Sequence, residues 1–220
     1  MTAIFWLTGG RGWPTMEDVG EMPDPSRPPA PQVAALVDRA RRRDPAAFRD
    51  LFQTHVGAVH RVVRRMVGAG PDVEDLVQTA FVEAFRSLPD FRGDALFSTW
   101  LTRIAVRVTM RAARRRHPRT ASLDEAFEPA SPAPGPERVI AAREALTLVE
   151  SLLAELRPKR RAAFVLHVLE GYSVDEVAAI LSASTAAVKV RVHDARRHIE
   201  RRLKQNPGLV AVFNRAGGES

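Results

Sequence analysis

Seven arginines stand between positions 103 and 119 (103, 107, 111, 114, 115, 116 and 119), with no acid among them. A guanidinium is always charged and donates two parallel hydrogen bonds to one phosphate or carboxylate, so a run of this kind calls for an outside anion. From Lys189 to Lys204 seven bases stand against two acids, repeating the signal in the second half of the chain. Opposite in sign is DVEDLVQTAFVEAF, residues 72–85, with four carboxylates and no base. Bond-making chemistry finds less support. There is no cysteine, the six histidines show no metal-ligand spacing, and GGRG lacks the Lys-Ser/Thr ending of a P-loop. No carboxylate pair is suggested near a basic groove. The expectation is a binding protein without catalytic residues, metal or cofactor.

The bulk numbers agree with that class. A chain of 220 residues with 33 Lys and Arg and a formal charge of +7 suits a polyanionic partner, because each neutralised phosphate releases counterions. Charge alone does not separate DNA from RNA or acidic protein. No apolar run approaches the roughly 20 residues that span a bilayer, and the opening AIFWL is too short for a signal peptide. No membrane insertion is expected, and the cytoplasm is the expected compartment.

Along the chain, residues 1–32 are rich in Gly and Pro without a sustained period and read as a disordered extension, with Met16 or Met22 as alternative starts. Apolar residues then recur at helical spacing: Val33, Leu36 and Val37, followed by Phe48, Leu51, Phe52, Val56, Val59, Val62 and Val63. Prolines crowd PRTASLDEAFEPASPAPGPE, which marks residues 118–138 as a flexible linker. Helical periodicity resumes at Val139 and persists to Leu203. The expected organisation is all-α: a first helical domain over 33–117, a second over 139–204, and a tail over 205–220. No alternating strand pattern is found.

Within the acidic stretch, Val73, Leu76, Val77, Ala80, Phe81, Ala84, Phe85 and Leu88 fall on one stripe of a helix. Asp72 sits where a carboxylate favours the positive end of the helix dipole. The row Asp75, Gln78, Thr79 and Val82 lies on another face that the core does not require. Periodicity leaves it either solvated or a docking surface.

The arginine-rich helix follows FRGDALFSTW, which offers a Gly-bearing turn, Phe91 within it, and Ser98 as the expected helix cap. An unstacked base would stack on aromatics placed there, although Phe97 and Trp100 are better read as core. Further on, Ser173 and Glu176 form a capping box before Val174, Val177, Ala178 and Leu181. Ser184 or Thr185 then caps a long helix with the inner face Val188, Val192, Ala195, Ile199 and Leu203. A short capped helix, a turn of about four residues and a longer basic helix make a helix-turn-helix, whose second helix enters the major groove. Lys189, Val190, His193, Arg197 and Arg201 should point outward, with Arg191 and Arg196 on the flanks.

Together, DVEDLVQTAFVEAFRSLPDFRGDALFSTWLTRIAVRV and LRPKRRAAFVLHVLEGYSVDEVAAILSASTAAVKVRVHDARRHIERRL resemble the bacterial extracytoplasmic-function (ECF) sigma factors. The resemblance implies a subunit without catalytic activity that binds RNA polymerase core enzyme and promoter DNA. It implies core-polymerase docking through Asp75, Leu76, Gln78 and Val82. Minus-ten contacts are implied for Phe91, Arg92, Gly93, Asp94, Arg107, Arg111, Arg114 and Arg115. Minus-thirty-five contacts are implied for Ser184, Thr185, Lys189, Val190, Arg191, His193, Arg196 and Arg197. An anti-sigma factor is a partner the family often has. Arg107, Ala186, Val190 and Asp194 depart from frequent family residues, so base preferences do not transfer. A conventional helix-turn-helix regulator, binding duplex DNA unaided, is the alternative; the acidic row is the feature it would not need.

Overall fold

Residues at the helix ends set the elements. In the computed structural model, which describes residues 30–68, 72–115, 136–206 and 208, helix α1 (Ala30–Arg41) turns back through Arg43 into α2 (Pro45–Val67). Asp44 caps α2 by accepting from the amides of Ala46 at 2.9 Å and Ala47 at 3.4 Å. Pro45 fits the first helical position because its missing N–H would be unpaired there anyway. Gly68, at φ 87°, ends α2 in a conformation that side chains rarely adopt.

The acidic stretch forms α3 (Asp72–Ser87) and runs through a 3-10 turn (Leu88–Asp90) towards α4 (Phe97–Arg115). The expectation for Ser98 is corrected here. Helix α4 starts at Phe97, so Ser98 lies inside its first turn rather than at its cap. The second half comprises α5 (Pro136–Ala154), α6 (Pro158–Phe164) continuing into a π-helical turn (Val165–Leu169), α7 (Val174–Leu181) and α8 (Thr185–Gln205). Helix α5 begins at Pro136, inside the stretch expected as linker. The expectations for residues 1–29, 118–135 and 209–220 lie outside the described residues. Among the described residues every regular element is helical, as the periodicity required.

Three apolar clusters hold these helices. One joins α1 to α4 through residues such as Leu51, Val63, Val77, Phe81, Leu101 and Ile104. Another joins α5, α6 and α8 through Leu152, Leu153, Phe164, Ala195 and Ile199. The third crosses between the halves, packing Val62, Met66 and Val106 against Ala162, Leu166, Val177, Val188 and Val192. Sequence reasoning expected two domains, each with its own core and joined only by a linker; the structure adds this shared core. Burying Val62 and Val106 stabilises the arrangement by about 1.5–3 kcal/mol each.

Polar contacts follow the same seam. Arg64 Nε donates to Glu150 at 2.6 Å, and Arg161 donates to the Met66 carbonyl at 2.7 Å. Arg65 pairs with Glu170, whose side chain is only 9% exposed. Thr102 and Tyr172 share a 2.8 Å hydroxyl hydrogen bond.

Candidate functional site

Helix α3 separates its two faces cleanly. Val73, Val77, Ala80, Phe81 and Ala84 are buried, Leu76 and Phe85 pack at the edge of that core, and Asp75, Gln78, Thr79 and Val82 are exposed. Val82 is 47% exposed, and Phe52 of α2, its ring tilted against Phe81 with centroids 4.7 Å apart, is also exposed. An apolar side chain flanked by a carboxylate and an amide on a rigid helix suits a partner helix that offers both bases and apolar groups.

Beyond α3, the chain turns through Arg92, Gly93 and Asp94, all exposed, with Gly93 at φ 81°. Phe91, Phe97 and Trp100 form an aromatic trio with centroids 5.1–5.8 Å apart. Phe97 is core, as expected, whereas Trp100, also expected as core, is half-buried and packs against it. Arg41 lies 5.9 Å over the Phe91 ring and donates to the Phe91 carbonyl. Beside the trio is a cavity of about 220 Å³ lined by Val37, His55, Phe91, Gly93, Leu96 and Phe97, among others. His55 and the α1 residues lining it carry no sequence signal of their own, since their spacing reads only as core.

The arginines of α4 divide. Arg107 and Arg111 are exposed yet converge on Glu83 of α3, at 3.3 and 2.9 Å. This corrects the expectation that the run calls for an anion from outside the protein; for these two arginines the carboxylate comes from another helix. Arg107 is also ten residues from Phe97, roughly 15 Å along the helix axis. It therefore does not share the Phe91 cavity. Arg103 donates to Ser182 Oγ of the second half at 3.3 Å. Arg114 is exposed, and the side chain of Arg115 lies outside the described residues.

In the second half the capping box is formed: Ser173 Oγ accepts from the Glu176 amide at 3.2 Å, and Glu176 accepts from the Ser173 amide at 2.9 Å. Ser182, at φ 49°, closes α7. Of the two cap candidates for α8 the structure selects Ser184, which accepts from the Ala187 amide at 3.2 Å. Val188, Val192, Ala195, Ile199 and Leu203 are buried. Thr185, Lys189, Val190, His193, Arg197 and Arg201 are exposed, Val190 to 60%. Arg191 is half-buried. Arg196 departs from its expected place on a DNA-facing flank: Nε and Nη2 have no exposed surface, and burial lowers the pKa of its guanidinium. Asp194, one of the departures from frequent family residues, is paired with Arg160 at 2.8 Å.

These features define two helical modules with an acidic-apolar helix face in one and a helix-turn-helix in the other. The sequence matches the Sigma-70 region 2 model over residues 51–119 and the Sigma-70, region 4 model over residues 146–199. It is 34% identical over 178 residues to the ECF RNA polymerase sigma-E factor of Escherichia coli (strain K12), covering 77% of this chain and 93% of that protein. It is 32% identical over 182 residues to the RNA polymerase sigma-H factor of Pseudomonas aeruginosa, covering 79% and 94%. Among solved structures it resembles CnrH in complex with the cytosolic domain of CnrY, at TM-score 0.61 and 30% identity over 78% of this chain and 97% of that one. It also shares the fold of the sigma factor RpoE of Bartonella quintana, solved with the anti-sigma factor NepR, at TM-score 0.56 and 18% identity over 71% and 96%.

The chain belongs to the ECF sigma factor family. Its function is that of a sigma factor: it binds RNA polymerase core enzyme and promoter DNA and directs promoter-specific transcription initiation. The family is one of non-enzymatic initiation factors. Among the described residues, no helix is long and apolar enough to cross a membrane.

Proposed function

We propose that the exposed row Asp75, Gln78, Thr79 and Val82 is the surface through which this sigma factor holds core polymerase, with Leu76 fixing the helix from beneath. The observation that carries this is the division of α3: the core stripe is buried or packed at the core's edge on one face, and Asp75, Gln78, Thr79 and Val82 form a continuous exposed strip on the other. In a chain of charge +7, that strip is suited to a basic, helical partner and poorly suited to DNA.

On the same reading, the first domain (33–117) melts and holds the minus-ten element at the turn Phe91, Arg92, Gly93 and Asp94, beside the aromatic cavity. Arg107, Arg111 and Arg114 then serve as phosphate contacts along α4, the first two by exchanging Glu83 for DNA. The second domain (139–204) reads the minus-thirty-five element with Lys189, Val190, His193 and Arg197, while Ser184, Thr185 and Arg191 stand at the groove edge. Arg196 supports α8 from within. The protein works in the cytoplasm. An anti-sigma factor is a fitting partner, supported by the 30% identical CnrH, whose structure contains the cytosolic domain of CnrY.

The test is co-purification with core polymerase after replacing Asp75→Arg and Gln78→Arg together. Both positions are exposed, so the fold should persist, and binding should be lost. Undiminished co-purification of a folded variant would remove the docking role from α3.

A further inference from the structure

Where the end of α4 meets the start of α6 and the first half of α8, a cleft of about 460 Å³ opens at the seam between the two domains. Arg114, Arg157, Lys159, Arg160 and Arg191 line it, with Met110 and Pro158 supplying apolar wall. Arg160 is held by Asp194 at 2.8 Å. Among the described residues, Arg114, Arg157, Lys159 and Arg191 have no carboxylate partner. Five like charges around one cavity repel one another, and a polyvalent anion relieves that repulsion.

We propose that this cleft binds a polyphosphate, inorganic or carried on a nucleoside, and that the bound anion clamps the two domains together. Four of the five cations are arginines, whose planar forks match phosphate oxygens two at a time. The cavity falls in the size range of small-ligand sites and is far too small to admit a duplex. Met110 and Pro158 offer a surface on which a base can lie. The site is composite: Arg114 comes from the first domain and the other four cations from the second, so it exists only while the domains are packed as they are here. It rests on that packing and not on the residue roles proposed above.

Calorimetric titration of the full chain with inorganic tripolyphosphate tests it. One saturable site is expected. Replacing Arg157→Ala with Lys159→Ala should weaken binding tenfold or more, and Arg114→Ala alone by about tenfold. The exposed pair Arg42→Ala with Arg49→Ala removes the same charge elsewhere and should leave affinity within about twofold. A nucleoside triphosphate run in parallel separates the two sources: tighter binding means the base uses the apolar wall, and equal binding means the phosphate chain suffices. Non-saturating binding, or an equal loss in the Arg42 and Arg49 variant, would show mere counterion uptake and overturn the site. An unchanged affinity in Arg114→Ala would overturn its composite nature. Small-angle scattering of the saturated chain should show dimensions no larger than those of the free chain; expansion would overturn the clamp.

Discussion

Thr102 Oγ1 and Tyr172 OH lie 2.8 Å apart, a hydroxyl pair that links α4 of the first domain to the segment leading into α7 of the second. Thr102 is only 4% exposed, so its hydroxyl gains little from water if the partner is removed. Tyr172→Phe is expected to cost about 1 kcal/mol in urea unfolding, and a cycle with Thr102→Val should give a coupling of about 0.5–1.5 kcal/mol. Additive effects of the two changes would mean that the hydroxyls do not act on each other.

Lys189 and Arg196 lie on the same basic helix and should behave oppositely. Lys189 is exposed, so Lys189→Ala should lower the slope of log affinity against log salt by about 0.9 while leaving unfolding unchanged. Nε and Nη2 of Arg196 are buried, so Arg196→Ala should instead lower stability by about 1–3 kcal/mol and leave the slope alone. Salt titrations of promoter binding beside denaturant melts distinguish the two. A slope change from Arg196→Ala would return that residue to the DNA face.

The pair of Arg160 and Asp194 is partly exposed and contributes at most about 1 kcal/mol. Its electrostatic role near DNA is larger. Asp194→Asn removes one of the two negative charges on α8 and releases Arg160, so DNA binding should tighten and the salt slope steepen by about one phosphate, with a nearly unchanged melt. Weaker binding of this variant would mean that Asp194 positions Arg160 for a contact.

His167 is 1% exposed and donates from Nδ1 to the Tyr172 carbonyl at 2.8 Å, which leaves Nε2 unprotonated inside the core. Burial lowers its pKa, and the nearby Arg196 acts in the same direction against the hydrogen bond to Tyr172. The unfolded chain then binds a proton at a higher pH than the native one. Stability from this group is complete above about pH 6.5 and falls by about 1.4 kcal/mol per unit as pH drops towards the lowered native value. Urea melts between pH 7.5 and 5 should show that slope, and His167→Gln should flatten it. An unchanged slope in that variant would place the acid sensitivity elsewhere.

Local rules made much of this protein legible in its sequence. A 3.6-residue period in α3 and α8 marks which residues must be buried and therefore which remain outside; Asp75, Gln78, Val82, Lys189 and His193 are exposed as that period requires. Capping chemistry is equally local, and Ser173 with Glu176 forms the box their spacing called for. Ser98 fails as a cap because Phe97 is already drawn into the helix by its burial beside Phe91 and His55.

Tertiary structure alone decided what those faces meet. Helix α2 is apolar on two sides, and nothing in its period says that Val59 and Val63 pack within the first domain while Val62 and Met66 pack against the second. Glu83 reaches Arg107 and Arg111 across 24 and 28 residues, so an arginine run without a local acid is partly neutralised by a neighbouring helix. Arg114 and Arg191 come to line one cleft for the same reason. Periodicity tells a helix which side to hide, because hydrophobic burial acts residue by residue. Which surface hides it is settled only when distant helices compete for the same contacts.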